Sequence, residues 1–455
     1  MTVVVNSEQQ PMPRDDPDSL AAAEKKDRVK ARWALLREAL IGSQSSAAKN
    51  KHSMNSFAGF QVLDRTFIQD TDEHADLLAK CDNIHEGRDG GASSLWDFVQ
   101  NSYVSKEGGQ IQFITREVKK QPQQSEQSFA TPQSSMKGRV EALLSHRNHG
   151  VDNTGNVRVW DAEATLAGFL LSVLLSEESN DMFDSDQETI SDFTNIIDLR
   201  SRIKAALFRN EESISANGGQ ETCNILELGA GQAGLAGLAL ASASNSLNNM
   251  KSLQLVLTDG HPKCVENNRV CSTLVPQRND VINNIDSQLL VWDSSAKGAE
   301  ECQRIVRECR KSSLEQSSDE GLFHVCLASD CVHFQEFHDG LFATIARTLT
   351  VGGIALLCQP RRGSSLANFI ALIDAVNTTS TSNDVPLFQM NMMEDFHPKV
   401  SKMHRSLQSK TATSSCYDPN WHRPLLLVMT KLRSFDEDID GEIARKFVKT
   451  YNTAI

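Results

Sequence analysis

Residues 223–234, Cys-Asn-Ile-Leu-Glu-Leu-Gly-Ala-Gly-Gln-Ala-Gly, decide the fold that this sequence predicts. Apolar residues lead into Glu227, a glycine-rich turn follows, and the apolar residues 235–241 then predict a helix packed on a sheet. A buried strand, a glycine-rich turn whose backbone comes close to a ligand, and a helix N-terminus together form a nucleotide-binding corner. Because several classes of nucleotide-binding enzyme share this glycine spacing, the segments after it must distinguish them.

The segments after the turn alternate between strand and helix patterns. We predict strands at 253–258, 287–291, 323–328 and 353–358, each followed by a helix, at 262–272, 302–311, 340–349 and 365–376. This alternation predicts a parallel, doubly wound α/β sheet. The last two strands, 387–392 and 424–430, are separated only by the basic stretch 397–410, which indicates an antiparallel edge strand. Seven strands with this ending are typical of Rossmann-like class I methyltransferases, whereas dinucleotide dehydrogenases usually continue with parallel strands.

Composition divides the chain into four parts. The polar residues 1–24 predict a disordered tail. Residues 25–148 predict an N-terminal extension that joins a basic amphipathic helix at 25–40, short strands at 57–63 and 110–115, and a Gln/Ser-rich insert at 121–135. We expect the helix to dock on the core; a membrane or a partner is the alternative surface. Residues 149–432 carry the predicted catalytic domain, with helices at 162–175 and 196–208 before the glycine turn, and 433–455 a C-terminal tail.

Composition and charge also limit the function. The 455 residues carry a net charge of −13, which argues against a general nucleic-acid binder. The longest clear apolar run, 166–175, is too short to cross a membrane, and no basic-then-apolar leader opens the chain. Ten cysteines without a Cys-x-x-Cys pair indicate reduced core thiols. We therefore expect a cytoplasmic protein, with the nucleus as a second location, that acts as a monomer and does not insert into membranes.

Acidic residues follow four successive predicted strands, where an open α/β sheet binds its ligand. They are Glu227, Asp259, Asp293 and Asp330. A carboxylate at Asp259 can accept both ribose hydroxyls, and Asp293 can accept from an adenine amino group with Trp292 stacked nearby. Each acid taken alone is as well explained as a helix cap or a turn residue; four in succession favour a binding site. Trp160 is either a core aromatic or a lid over the ligand.

A second motif, His333, Glu336 and His338, invites comparison with zinc hydrolases. The spacing His-x-x-Glu-x-His matches neither the HExxH motif nor its inverse, so it does not place two ligands one helical turn apart. We predict no metal site.

Short motifs spread over about half of the chain resemble one family. They are Arg32-Trp33-Ala34-Leu35-Leu36-Arg37, Asp152-Asn153-Thr154-Gly155-Asn156-Val157, Leu257-Thr258-Asp259-Gly260, Trp292-Asp293, Ser329-Asp330-Cys331, Pro360-Arg361-Arg362-Gly363, Phe396-His397-Pro398-Lys399 and Pro424-Leu425-Leu426-Leu427. In this order they resemble the calmodulin-lysine N-methyltransferases, a group of seven-strand protein-lysine methyltransferases. The Asn-Thr-Gly-Asn and Pro-Arg-Arg-Gly pieces are the most specific.

This resemblance implies an enzyme that transfers methyl groups from S-adenosylmethionine to a lysine of calmodulin, up to trimethyllysine. It implies that the cofactor is held by Trp160, Glu227, Gly229, Ala230, Gly231, Asp259, Trp292, Asp293 and Ser329. It also implies that Asp330 begins the family's Asp-x-x-aromatic motif at the reacting end. In this sequence His333 takes the aromatic position, with Phe334 beside it, and His333 is a candidate for removing the amine proton.

Basic residues after the last strands predict a docking site for an acidic protein. They are Arg361, Arg362, Lys399, Lys402, Arg405 and Lys410. A solvated basic loop is the simpler interpretation of these charges. Three other functions also stay open: a methyltransferase for another protein lysine, a non-catalytic module that binds S-adenosylmethionine or calmodulin, and a nicotinamide-dependent oxidoreductase.

Overall fold

The structure is a computed structural model of the chain. It describes residues 59–68, 98–105, 111–118, 159–175, 190–208, 222–247, 249–276, 284–311, 322–379, 385–409 and 417–453. The predicted tail 1–24, the basic helix 25–40, the insert 121–135 and Lys410 lie outside the described residues. So do residues 152–158, which carry the Asn-Thr-Gly-Asn motif.

The predicted N-terminal extension contains a three-stranded antiparallel sheet, with order β1-β2-β3. Its strands are β1 Leu63–Phe67, β2 Phe98–Ser105 and β3 Gln112–Val118. The expected short strands therefore form, although β1 begins where the predicted strand 57–63 ends. Tyr103 and Phe113 of this sheet are buried in the same apolar cluster as the helices of the main domain.

The main domain is built on a seven-stranded sheet with order β6-β5-β4-β7-β8-β10-β9. Its strands are β4 Thr222–Leu228, β5 Ser252–Asp259, β6 Asn284–Leu289, β7 Phe323–Ser329, β8 Leu349–Gln359, β9 Phe388–Met393 and β10 Leu425–Lys431. Strands β6, β5, β4, β7 and β8 run parallel to one another. The predicted fold, an α/β Rossmann-like sheet of the class I methyltransferase type with an antiparallel last strand, is confirmed.

Helices cover both faces of this sheet. In chain order they are α1 Asp161–Leu175, α2 Ile190–Leu207, α3 Leu235–Ser246, α4 Pro262–Thr273, α5 Ala296–Lys311, α6 His338–Thr348, α7 Ser365–Thr379, α8 Pro398–Ser409, α9 Pro419–His422 and α10 Asp440–Thr453. Alternate residues of one strand point to opposite faces: Ile225 of β4 packs in the cluster beneath α1 and α3, and Leu226 in the cluster beneath α6 and α7.

The antiparallel strand lies inside the sheet, so the prediction of an antiparallel edge strand was wrong. Strand β10 pairs antiparallel with both β8 and β9, and β9 forms the edge. The unbroken apolar run Leu425–Met429 is buried, whereas β9 is buried only at its two end residues, Phe388 and Met393. A continuous apolar run is typical of a strand covered on both faces, and this signal identifies β10 as an interior strand.

The segment predicted as a C-terminal tail contains helix α10. Ala444 and Val448 are buried in the cluster beneath α6 and α7. Arg433 donates to both carboxylate oxygens of the buried Asp440, at 2.6 Å and 2.8 Å, which fixes the start of the helix. Among the described residues no helix is long and apolar enough to span a membrane.

Candidate active site

The glycine turn after β4 has no room for a side chain at Gly229 or Gly234. Gly229, Gly231 and Gly234 have φ values of 62°, 58° and 56°, in the left-handed region that favours glycine. A Cβ on Gly229 would lie 2.8 Å from the Cys331 sulfur and 3.1 Å from the Trp292 ring. The turn is therefore packed directly against the segments that follow β6 and β7.

Glu227 lies beneath this turn and fixes the start of α3. Its Oε2 accepts from the Gly237 N–H at 2.7 Å, and its side chain is buried. Burial raises the pKa of Glu227 to about 7, although the N–H groups of Gly237 and Ala236 oppose the shift. The structure thus gives Glu227 a contact at the N-terminus of a helix, and its predicted contact with the cofactor stays a prediction.

Asp259 connects the tip of β5 to the glycine turn. Its Oδ2 accepts from the Gly231 N–H at 3.0 Å, and its Oδ1 accepts from the His261 N–H at 2.8 Å. The Ala230 N–H donates to the Thr258 carbonyl at 2.8 Å, so two hydrogen bonds join the two strand ends. The carboxylate is thereby held at the carboxyl edge of the sheet, as the sequence predicts.

Trp292 and Asp293 lie after β6 and differ in their surroundings. The Trp292 ring packs against the glycine turn, and its indole Nε1 is buried without a hydrogen-bond partner among the described residues. Oδ1 of Asp293 accepts from the Ser295 N–H at 2.8 Å, which is the turn contact that precedes α5. The simpler interpretation, a turn residue, therefore accounts for one oxygen of Asp293, and adenine recognition stays a prediction.

Asp330 forms a buried ion pair with Arg362. The Arg362 Nε donates to Oδ1 of Asp330 at 3.2 Å, and Nη2 donates to Oδ2. The two side chains are only 8% and 6% exposed. Asp330 directly follows β7 and Arg362 follows β8, and these two neighbouring strands are parallel. The Asp330 N–H donates to the Cys358 carbonyl at 3.0 Å. Both residues have positive φ values, 54° and 51°, which are uncommon outside glycine.

Two tryptophans enclose the Arg362 guanidinium. Its carbon lies 5.5 Å from the ring centroid of Trp160 and 5.8 Å from that of Trp421, within cation–π range. Trp160 is buried just before α1, whereas Trp421 in α9 is 36% exposed. Sequence reasoning included Trp160 but missed Trp421, although a tryptophan in the polar run Asp418–His422 is an unusual signal.

Glu163 is a second residue that sequence reasoning missed. It is 3% exposed, its Oε1 accepts from the Trp160 N–H at 3.1 Å, and its Oε2 has no partner among the described residues. Burial raises the pKa of Glu163 well above its usual value, and the negative charges of Glu227, Glu117 and Asp330 add to the shift. The interior beside Asp330 is therefore acidic, with Arg362 as the cation paired to it.

The histidines of the His-x-x-Glu-x-His motif make separate contacts. The His333 ring lies 4.6 Å from the Phe334 ring and 6.3 Å from the Trp421 ring. His338 is buried, and its Nε2 lies 3.0 Å from the Val332 carbonyl oxygen. In the part of the chain that the structure describes, no cluster of three or more His, Cys, Asp or Glu residues is arranged to hold a metal ion.

The structure places the residues of the predicted basic docking site in different surroundings, some buried or paired and some exposed. Arg362 is buried in its pair with Asp330, so its assignment to a docking surface was wrong. Arg361 pairs with Glu394, which also pairs with Arg423 at 3.1 Å, and Lys399 donates to the Gln61 carbonyl. Lys402 and Arg405, on α8, are exposed. The adjacent charges of Arg361 and Arg362 explain the error, because a run of basic residues in a sequence usually indicates a solvated surface.

Residues 141–306 match the model of a family described as lysine methyltransferase. The chain is 28% identical over 208 residues to a calmodulin-lysine N-methyltransferase from Arabidopsis thaliana, which covers 45% of this chain and 56% of that protein. The match thus spans little more than half the length of this relative. The family match includes the glycine turn and Asp259 and ends before Asp330 and Arg362. These findings confirm the resemblance that the motifs indicated.

The solved structures that match this chain are distant from it in sequence. An rRNA methylase from Streptococcus thermophilus is 12% identical, with a TM-score of 0.26, and the match covers 47% of this chain and 89% of that chain. A phosphoethanolamine N-methyltransferase from Haemonchus contortus, in complex with phosphoethanolamine and S-adenosylhomocysteine, is 13% identical, with a TM-score of 0.29. That match covers 65% of this chain and 54% of the other chain.

Proposed function

We propose that this protein is an S-adenosylmethionine-dependent protein-lysine N-methyltransferase, with calmodulin as its substrate and trimethyllysine as its product. One observation carries the proposal. The glycine turn, held by Asp259, packs against Cys331, the residue next to Asp330. A nucleotide-binding corner and a buried carboxylate are thus adjacent at the carboxyl edge of one sheet, where a ligand and a reacting group have to meet.

The residues at this edge fit an adenosine-containing cofactor. The left-handed φ values of Gly229 and Gly231 shape the turn, and Asp259 presents a carboxylate that suits ribose hydroxyls. Two buried polar atoms, Nε1 of Trp292 and Oγ of Ser329, have no hydrogen-bond partner among the described residues. Buried polar atoms without partners are uncommon, and a bound polar ligand would satisfy them. Gly229, Ala230, Gly231, Asp259, Trp292 and Ser329 would hold the cofactor.

The protein's own contribution is to position and desolvate the lysine amine. S-adenosylmethionine supplies a methyl group on a sulfonium, which a neutral amine can attack. Asp330 would accept a hydrogen bond from that amine and orient its lone pair. The rings of Trp160 and Trp421 limit water around Asp330, and His333 beside them is a candidate for receiving the amine proton.

The choice of calmodulin rests on the similarity to the Arabidopsis enzyme and on charge. Calmodulin is acidic, and this chain has a net charge of −13, so local basic surface is needed for encounter. Lys402 and Arg405 are exposed on α8 and provide such a surface. A different protein lysine is the second candidate substrate, since the relative is matched over only 56% of its length.

Transfer of labelled methyl groups from S-adenosylmethionine to purified calmodulin tests the proposal. We expect the wild type to label calmodulin, the variant Asp259→Ala to lose at least about 90% of the activity, and the exposed Asp374→Ala on α7 to remain active. Binding of S-adenosylhomocysteine without label on calmodulin would favour another lysine substrate or a non-catalytic binding module. Binding of a nicotinamide cofactor instead would contradict the proposal.

A further inference from the structure

The pair Asp330–Arg362 has features that a simple surface ion pair lacks. Both side chains are buried, two hydrogen bonds join them, and two tryptophan rings enclose the guanidinium. The backbone also fixes the position of Arg362, because its N–H donates to the Asn420 carbonyl at 2.9 Å, next to Trp421. Burial of two charges is unfavourable unless their geometry is well matched, so this arrangement indicates a specific role for the pair.

The surroundings of the pair contain more acids than bases. Glu163 and Asp161 approach from α1, the Cys358 thiol from β8, His333 from the segment after β7 and His422 from α9. The His422 pKa is lowered, first by burial, with the positive charge of Arg362 acting in the same direction. The positive charge of Arg362 therefore disfavours a second positive charge nearby, such as a protonated His422.

Methyl transfer to a lysine in this site has a requirement that Asp330 alone does not fulfil. The attacking amine must be neutral, because its lone pair forms the new N–C bond while the sulfur retains the electrons of the broken S–C bond. A lone buried carboxylate would stabilise the ammonium form and so oppose the reaction. A fixed positive charge next to the carboxylate reverses this effect, since it disfavours the ammonium form by repulsion.

We propose that Arg362 is a positioning residue for methyl transfer, which holds the Asp330 carboxylate in place and favours the neutral form of the substrate amine. This inference rests on the proposed lysine methyltransferase function and adds a residue that lies outside the matched family region. Trp160 and Trp421 both lie within cation–π range of the guanidinium, and its direct partner is Asp330 rather than the substrate. The pH dependence of turnover is the property that distinguishes this role from a purely structural one.

The test compares Arg362→Gln and Arg362→Lys with Arg307→Gln, which removes an exposed arginine on α5, away from the proposed site. The substrate is calmodulin, and kcat is measured across pH because kcat reports ionisations in the bound complex. For Arg362→Gln we expect the rise of kcat to move to higher pH by about one unit, with kcat near neutral pH at least about tenfold lower. Calorimetry should show S-adenosylhomocysteine affinity unchanged in each variant.

Arg362→Lys keeps the charge but not the planar double hydrogen bond, so it should retain the wild-type pH midpoint while kcat falls, with KM unchanged. Arg307→Gln should change neither the pH midpoint nor kcat. The inference would be overturned if the wild type is active and Arg362→Gln keeps the wild-type pH midpoint, with its kcat lowered by the same factor at every pH. If Arg362→Gln does not fold, a wild-type kcat in Arg362→Lys would overturn it. A wild type that methylates no lysine would instead refute the proposed function, and with it this inference.

Discussion

The backbone N–H of Gly231 donates to Oδ2 of Asp259 at 3.0 Å, and this bond ties the glycine turn after β4 to the tip of β5. The second carboxylate oxygen accepts from the His261 N–H at the start of α4. One side chain therefore orders two loops and keeps a carboxylate at the edge of the sheet. Removing it should affect the cofactor site more than the stability of the core.

Asp259→Ala should weaken the binding of S-adenosylhomocysteine by roughly 10- to 100-fold, because a hydrogen bond to a charged group contributes about 1.5–3 kcal/mol. Isothermal titration calorimetry measures the effect. Asp374→Ala, an exposed change on α7, serves as the matched control and should bind like the wild type. Equal affinity in both variants would show that Asp259 does not contact the ligand.

Gly229→Ala should destabilise the protein and impair cofactor binding. The left-handed φ of 62° costs about 1–2 kcal/mol for alanine, and its Cβ would also overlap the Cys331 sulfur at 2.8 Å. Gly363→Ala is the matched control, because Gly363 has a φ of 69° but no atom within 4 Å of its added Cβ.

In denaturant unfolding, the free energy of unfolding should therefore fall more for Gly229→Ala than for Gly363→Ala, by roughly 1–3 kcal/mol. Only Gly229→Ala should bind S-adenosylhomocysteine more weakly. Similar losses of stability in the two variants would mean that the turn relaxes away from Cys331 and Trp292.

The raised pKa of Glu227 predicts a specific dependence of stability on pH. In the folded protein the pKa of Glu227 is about 7, whereas in the unfolded chain the carboxyl group has its ordinary pKa of 4.5. The stabilising contribution of Glu227 to the free energy of unfolding is therefore fully present below pH 4.5 and is lost as the pH rises to about 7.

Glu227→Gln removes this titration and retains an oxygen that can accept from Gly237. The free energy of unfolding of the variant, minus that of the wild type, should rise by up to about 3 kcal/mol across this pH range. Urea unfolding at a series of pH values measures the difference. A difference that stays constant with pH would contradict the raised pKa.

Reversal of the two exposed charges on α8 should weaken the encounter with an acidic protein substrate. For Lys402→Glu with Arg405→Glu, we expect the KM for calmodulin to rise roughly tenfold at low salt, with kcat unchanged. The difference should shrink as ionic strength screens the charges. A reversal of Arg307 and Lys446, both exposed on other helices, controls for net charge and should leave KM nearly unchanged. Equal effects of the two reversals would exclude α8 as the docking surface.

Local sequence patterns predicted the sheet and the cofactor corner because both depend on neighbours along the chain. The alternation of strands and helices indicated the parallel sheet, and the position of Asp259 after an apolar strand placed it beside the glycine turn. Glu227 and Asp293 show the limit of such patterns. Their strand-end positions were correct, but the contacts that the structure shows are with helix starts and turns.

The ion pair Asp330–Arg362 could not be predicted in the same way. Its two residues are 32 positions apart and meet only because β7 and β8 pair in a register that places Ser329 opposite Cys358. Trp421 reaches Arg362 from a segment before β10, which lies beside β8 rather than at the sheet edge. Sequence reasoning had β10 at the edge, so it gave no reason to bring Trp421 to this site.

Mass spectrometry of calmodulin after incubation with this protein and S-adenosylmethionine is the most direct test of calmodulin methylation. We expect a single lysine to gain methyl groups up to the trimethylated form, with no gain when Asp330→Asn replaces the wild type. Calmodulin without added methyl groups, from a protein that binds S-adenosylmethionine, would contradict calmodulin methylation as the function.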